Sequence, residues 1–408
     1  MPPIVKMKSM TTLRREIIAE RVLSEAEQNR FLESAEESDR RMMAEFGILH
    51  KNIQFKLACD SSEIVRVALA KSLCLKKFIQ TKLAKSKKES VRLALANNIC
   101  IHKSAQELLA RDENQQVIQA ILTNKSLCDS IQVAFANHPD LVFRQYLASN
   151  ESLLEEIQCQ FIDENDLMIC LTLAKNIGLY KKYQCTLAQN ENLFVREALA
   201  GNTSISKAIQ RMLTQDQASV RLILASNECV NDETSQHILA RDQLKDVRIV
   251  LAARGYLEES VQLKLAHDSS KKVRLALARS FNLAESVQLK YVKSKNQDIL
   301  KSLAVNSELT TNVAEILLEN KPSDDIRIAM ADIHIHNSSK IGVLLLLAND
   351  PLVSVRDMLA NEPSFISDSD ELQIKLAGDE SQIVRDTLAQ NYDDLCEEAQ
   401  RKLDEYKT

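Results

Sequence analysis

Val91-Arg92-Leu93-Ala94-Leu95-Ala96 and its near copy Val273-Arg274-Leu275-Ala276-Leu277-Ala278 decide how this 408-residue chain is read. Aligning all such segments puts the Arg position at 66, 92, 118, 144, 170, 196, 221, 248, 274, 300, 327, 356 and 385. The step is 26 residues with a slip of one, widening to 29 at the last two. Ten positions are Arg: Arg66, Arg92, Arg144, Arg196, Arg221, Arg248, Arg274, Arg327, Arg356 and Arg385. A second register is stricter, with Leu57, Leu83, Leu109, Phe135, Phe161, Leu187, Leu213, Leu239, Leu265, Tyr291 and Leu317 all 26 apart. A third, from Leu75 and Ile101 to Leu283 and Leu309, never leaves the aliphatics. Three apolar registers at one period mark a repeat protein.

Each repeat carries two short helical patterns. The Arg-bearing one, here the Arg helix, is apolar around most of its circumference, as a helix sandwiched between neighbours must be. The other, here the Leu helix, runs like Leu257 to Ala266, with Leu257, Val261 and Leu265 on one face at i, i+4, i+8. Helices this short do not persist alone in water, so each unit must bury its neighbours' faces. The prediction is an all-α chain, an α-solenoid of about thirteen two-helix repeats. Composition agrees: six Gly, six Pro and no Trp leave few corners for a sandwich or a doubly wound sheet.

The loops have their own pattern. Asn follows the Arg helix at Asn98, Asn124, Asn150, Asn176, Asn202, Asn227, Asn306 and Asn391. Because Asn tolerates the left-handed conformation, it is expected to stop the helix in place of Gly. Acids such as Asp60, Asp112, Asp242, Asp268 and Asp379 follow the Leu helix and are expected to cap turns. Residues 1–50 read as an N-terminal cap of degenerate repeats in which Arg14, Phe31 and Arg40 keep the register, and residues 51–408 as the solenoid, closed by a capping helix at Leu395 to Tyr406. The stretch 320–350 breaks register at Lys321-Pro322-Ser323-Asp324-Asp325.

At these residues the pattern resembles the leucine-rich repeat variant family and, more broadly, the HEAT-like α-solenoids. The shared letters are Val-Arg-x-Ala-Leu-Ala, the following Asn and Leu-Ala-x-Asp, seen best at Leu265-Ala266-His267-Asp268 with Val273 to Ala278. The resemblance covers roughly residues 51 to 403 and implies a right-handed solenoid that works as an interaction scaffold, without naming a ligand. The family's unit is shorter and carries Pro after the Asn, which survives here only in Asn361-Glu362-Pro363. An amino-terminal cysteine cluster holds an iron–sulfur centre in one family member. This chain has no Cys before Cys59, so no cofactor is carried over.

Candidate chemistry is sparse. The Arg ladder reads as architecture, each guanidinium paired with the loop acid about six residues earlier, as Arg274 with Asp268, in its own or the adjacent unit; the competing reading is an anion-binding surface. Lys71, Lys76, Lys77, Lys82, Lys85, Lys87 and Lys88 form a basic segment. Residues 51–100 carry eleven bases against three acids, and residues 301–408 ten against 21. Such a segment suits a partner protein, phosphate backbone or an anionic membrane, or simply a solvated face. Only Phe78 interleaves the lysines, which leaves base stacking without a platform. Cys74 and Cys100, like Cys159 and Cys185, are equivalent residues one unit apart, too distant to bridge and expected to be buried packing residues. Asp332-x-His334-x-His336 lacks a fourth zinc ligand and is expected to be loop histidine. His267-Asp268-Ser269 are sequence neighbours that cannot converge as a triad.

No phosphate-loop, dinucleotide, nucleophile-elbow or zincin motif occurs, so no catalytic or metal residue is assigned. The start lacks the apolar core of a signal peptide, and the longest aliphatic run, Ile341 to Ala348, is eight residues; with nine scattered Cys the chain reads as cytoplasmic. The favoured function is a non-enzymatic scaffold binding another protein along its surface. The alternative is nucleic-acid binding through residues 71–92, in the manner of HEAT-like DNA glycosylases, which the chain resembles in architecture alone. The net charge of -5 weighs against it.

Overall fold

The computed structural model describes residues 23–34, 36–46, 48–362 and 369–406; Arg14 and Pro363 lie outside them. Among the described residues there are 29 α-helices, two 3-10 turns and no strand. The chain forms two compact units, Met1–Ile205 and Ser206–Thr408. In the first, Leu helices from Glu25–Ser34 to Lys181–Ala188 alternate with Arg helices from Glu37–Phe46 to Leu193–Ala200. In the second they alternate from Lys207–Leu213 and Ala218–Ser226 to Gln382–Ala389, and a last Leu helix, Glu397–Glu405, follows.

The cores are those the registers predict. Leu57, Leu83, Leu109, Leu213, Leu239 and Leu265 are buried, as are Val65, Leu69 and Ala70 and their equivalents along the Arg helices. Phe31 and Arg40 show that the period already runs through the described part of residues 1–50: Phe31 is fully buried, and Arg40 reaches forward to Asp60. Alanines on the Arg helices let these approach one another more closely, for most neighbours, than the Leu helices do. A stack bends towards its tighter layer, so the Arg helices line the inner side of each unit.

The Asn residues do not stop helices in the left-handed region. Positive φ among the described non-Gly residues is confined to Asn165, Asn282 and Lys321, none of them in the Asn series. Asn176 sits at φ −72°, ψ 118°. What selects Asn is its side chain. Asn150 Nδ2 donates to Leu122 O at 2.7 Å and Asn124 O at 2.9 Å, while Oδ1 accepts from Ser152 N–H at 2.8 Å. Asn98, Asn124, Asn176 and Asn202 repeat this in the first unit and Asn306 in the second. Each one ties down carbonyls at the end of the preceding Arg helix that have no partner within it. Asp could not donate twice, and Gly could do neither.

A Gln series of the same kind went unnoticed in the sequence. Gln28, Gln54, Gln80, Gln106, Gln132, Gln158, Gln184, Gln210, Gln236, Gln262 and Gln288 recur every 26 residues on the Leu helices and are buried. Gln132 Nε2 donates to Leu127 O and Ser152 O, each at 3.2 Å, and Oε1 accepts from Leu154 N–H at 2.9 Å. The signal was an amide in an otherwise apolar stripe, more regular than the Arg itself. The series lapses at Ala314, just before the irregular stretch. There Lys340 Nζ takes Leu309 O at 3.2 Å, the carbonyl a Gln would have served. The insertion itself is absorbed by a longer Arg helix, Asp324–His334, and a 3-10 turn at Ser338–Lys340.

Candidate functional site

The Arg ladder joins one repeat to the next. Arg92 Nε and Nη2 fork onto Asp112 at 2.6 and 2.9 Å, while Nη1 donates to Ser86 O at 2.8 Å in its own loop. Arg221 with Asp242, Arg248 with Asp268 and Arg356 with Asp379 repeat the fork at 2.5 to 3.1 Å. The loop acid six residues earlier is thus met through its main-chain carbonyl, and the carboxylate partner stands in the following repeat. The same carboxylate accepts from the amide two residues on, as Asp268 does from Ser270 N–H at 2.8 Å. Burial alone would raise the Asp268 carboxyl; the Arg248 fork and the Ser270 amide outweigh it and hold the group below its ordinary value. The Asp112 fork raises the already high pKa of Arg92 despite burial, so that guanidinium stays charged.

Helix pairs stacked at a fixed period, joined by side-chain rungs, make one architecture. The chain is an α-solenoid of two-helix repeats.

Not every rung of the solenoid is filled alike. Arg144 pairs with Glu164 at 2.8 Å. Arg327 stands 3.5 Å from Asp350, at the insertion. Arg385 lies under the Tyr406 ring at 4.1 Å, which closes the last repeat. Arg196 Nη1 donates to Asn190 O at 2.7 Å. Among the described residues, Arg66 and Arg274 keep only the own-loop carbonyls of Asp60 and Ser61, and of Asp268 and Ser269.

The seven lysines are all exposed but do not share a side. Lys76 and Lys77 start the Leu helix Lys77–Ala84, and Lys85 ends it, about 12 Å away. Lys87 and Lys88 follow Lys85 on that loop edge, where Lys88 pairs with Glu63 at 3.4 Å. Lys82 lies over the Phe55 ring at 5.0 Å on the Leu-helix face. Lys71 stands on the Arg-helix side, beside a groove of 480 Å³ walled by Val67, Leu73, Leu93 and Ile99. A smaller groove of 300 Å³ lies farther along that layer, at Met168, Leu171 and Lys175.

Among the described residues no three His, Cys, Asp or Glu gather as a metal site. His334 belongs to a helix rather than a loop. It is buried, its Nε2 lies 3.0 Å from Ala304 O, and burial lowers its pKa. His267 Nδ1 meets Leu263 O at 2.8 Å while Asp268 holds Arg248, so the triad letters do not converge. Cys74, Cys100 and Cys185 are exposed, against the expectation of burial; among the nine only Cys170 is buried. Cys74 and Cys100 occupy the loop before the Leu helix, where what the fold uses is the main-chain carbonyl, each accepting at 3.1 Å from a Gln of the preceding repeat. No described helix is long and apolar enough to cross a membrane.

No family model and no curated protein matches the chain. Among solved structures it is similar to a leucine-rich repeat variant with a novel repetitive structural motif, at 18% identity over 63% of this chain and 86% of that one, TM-score 0.30. It is similar to importin beta at 9% identity over 98% of this chain and 62% of that one, TM-score 0.33. It is similar also to the Cnd3–Cnd2 condensin subcomplex of S. pombe at 11% identity over 99% and 70%, TM-score 0.28.

Proposed function

We propose that the protein is a non-enzymatic scaffold that holds a segment of another protein against the Arg-helix layer. The observation that carries this reading is the groove at Val67, Leu73, Leu93 and Ile99. Leu73 and Ile99 are 57% and 59% exposed. Ile177 and Phe281 hold the same position elsewhere, but Leu73 and Ile99 are the pair that stands at adjacent repeats, Lys125, Glu151 and Thr203 breaking the row beyond them. Two large apolar side chains at neighbouring repeats, on the inner side of the stack, offer a partner side chain a dry seat.

Affinity purification from the cell's own lysate, split with and without nuclease, tests the reading. A defined protein recovered in both halves and lost with Ile99→Asp supports it. Recovery that vanishes with nuclease would overturn it in favour of nucleic-acid binding through residues 71–92.

A further inference from the structure

Among the described residues, two rungs within the Arg ladder, besides Arg385 at its end, lack an acid. Arg66 precedes Ser86 by twenty residues, as Arg92 precedes Asp112, and Arg274 precedes Ser294 by the same distance. Each serine keeps the turn of the acid it replaces. Ser86 Oγ accepts from Lys88 N–H at 3.2 Å and Ser294 Oγ from Asn296 N–H at 3.1 Å, where Asp112 Oδ1 accepts from Asn114 N–H at 2.9 Å. The loop is therefore in place, and only the carboxylate is missing.

Arg66 and Arg274 each hold their Nη1 on the own-loop carbonyls, which fixes the guanidinium in the ladder orientation. Among the described residues, Nε and Nη2 of either arginine meet no acceptor. The nearby Glu63 is already engaged by Ser90 Oγ and Lys88. Exposed lysines flank both serines: Lys85 and Lys87 in the first unit, Lys293 and Lys295 in the second. An oriented guanidinium edge, two to three cations and a small residue where an acid belongs make an oxyanion seat. The filled rungs show which oxyanion matches it, since that edge forks onto carboxylates at 2.5 to 3.1 Å elsewhere in the molecule.

We propose that each of these two loop edges docks an acidic protein segment by itself, a partner carboxylate completing the rung at Arg66 in the first unit or at Arg274 in the second. The partner class rests on the scaffold reading, and the two fail separately. Ile99→Asp spoils the groove and leaves the loop edge intact; Ser86→Asp fills the rung and leaves the groove intact.

Binding of a short fluorescein-labelled poly-glutamate peptide to the full chain, read by anisotropy, tests the proposal. The expected result is salt-sensitive binding that weakens about tenfold in Ser86→Asp/Ser294→Asp, because the rung is then closed from within. The same variant should melt about 2 to 4 °C higher, since a carboxylate now meets each free fork. The Ile99→Asp chain should bind the peptide as the natural chain does. Absence of binding to the natural chain, or undiminished binding by the double serine variant, would overturn the proposal. So would displacement of the peptide by equimolar inorganic phosphate, which would mark a phosphate seat instead.

Discussion

At the scale of single residues, the solenoid depends on amides that satisfy main-chain groups far away in sequence. Gln132 and Asn150 are buried and each makes three main-chain bonds, two of them to groups 20 or more residues away. Gln132→Ala should therefore cost about 2 to 4 kcal/mol, because two carbonyls and an amide lose their partner, and urea unfolding would register it as a lower midpoint. Arg254 makes the opposite case. It occupies the Asn slot, donates from Nη2 to Glu228 O and Val230 O, and leaves Nε and Nη1 buried without a partner among the described residues. Burial lowers its pKa, the mark of a cation held at a cost. Arg254→Asn should restore the standard bridge and raise stability by about 1 to 3 kcal/mol, with a higher melting temperature.

Asp232 carries a residue-scale pH dependence. The Arg211 fork at 2.7 and 2.9 Å, with Ser235 amide and hydroxyl, holds its carboxyl at about 2 against the opposing effect of burial. A carboxyl lowered on folding stabilises above its unfolded value of 3.8, and that contribution is lost as pH falls towards 2. Acid titration by NMR should show Asp232 titrating near pH 2 in the natural chain and higher in Arg211→Ala, whose stability should then vary less across this window.

At the scale of elements, the unit of construction is one Leu helix with one Arg helix. Each helix of seven to eleven residues is too short to hold alone, so its stability comes from neighbours at the correct period. Deleting residues 103–128, one whole period, keeps every remaining Gln and Asn facing an equivalent group and costs Arg92 alone its carboxylate, since His138 takes the place of Asp112. Circular dichroism should show undiminished helicity per residue and a melting temperature lower by a few degrees. Deleting residues 103–115 sets unlike positions against each other and should abolish the cooperative transition. The helices themselves were legible in the sequence, because apolar spacing within one helix is a local signal. The meaning of the Asn was not, and the left-handed stop expected from composition was wrong. Its true partners stand 26 and 28 residues back, out of reach of any reading of the loop alone.

At the scale of the whole molecule, the chain is two compact units, each with its own stacked core. Because every repeat leans only on its neighbours, residues 1–205 and 206–408 produced separately should each be helical and unfold cooperatively in a thermal melt. The charge contrast between residues 51–100 and 301–408 was plain from the sequence, but the structure spreads the seven lysines over both ends of a helix, its outer face and the Arg-helix side. By itself, the sequence determined the period, the two helices of each repeat and the buried registers, since these follow from side-chain polarity spaced along one strand of chain. Only the tertiary structure decided which side is inner, which carboxylate each Arg grips, and that Arg66 and Arg274 grip none. Those outcomes depend on which atoms of the next repeat come within about 3 Å, and stacking brings them there where local chain geometry cannot.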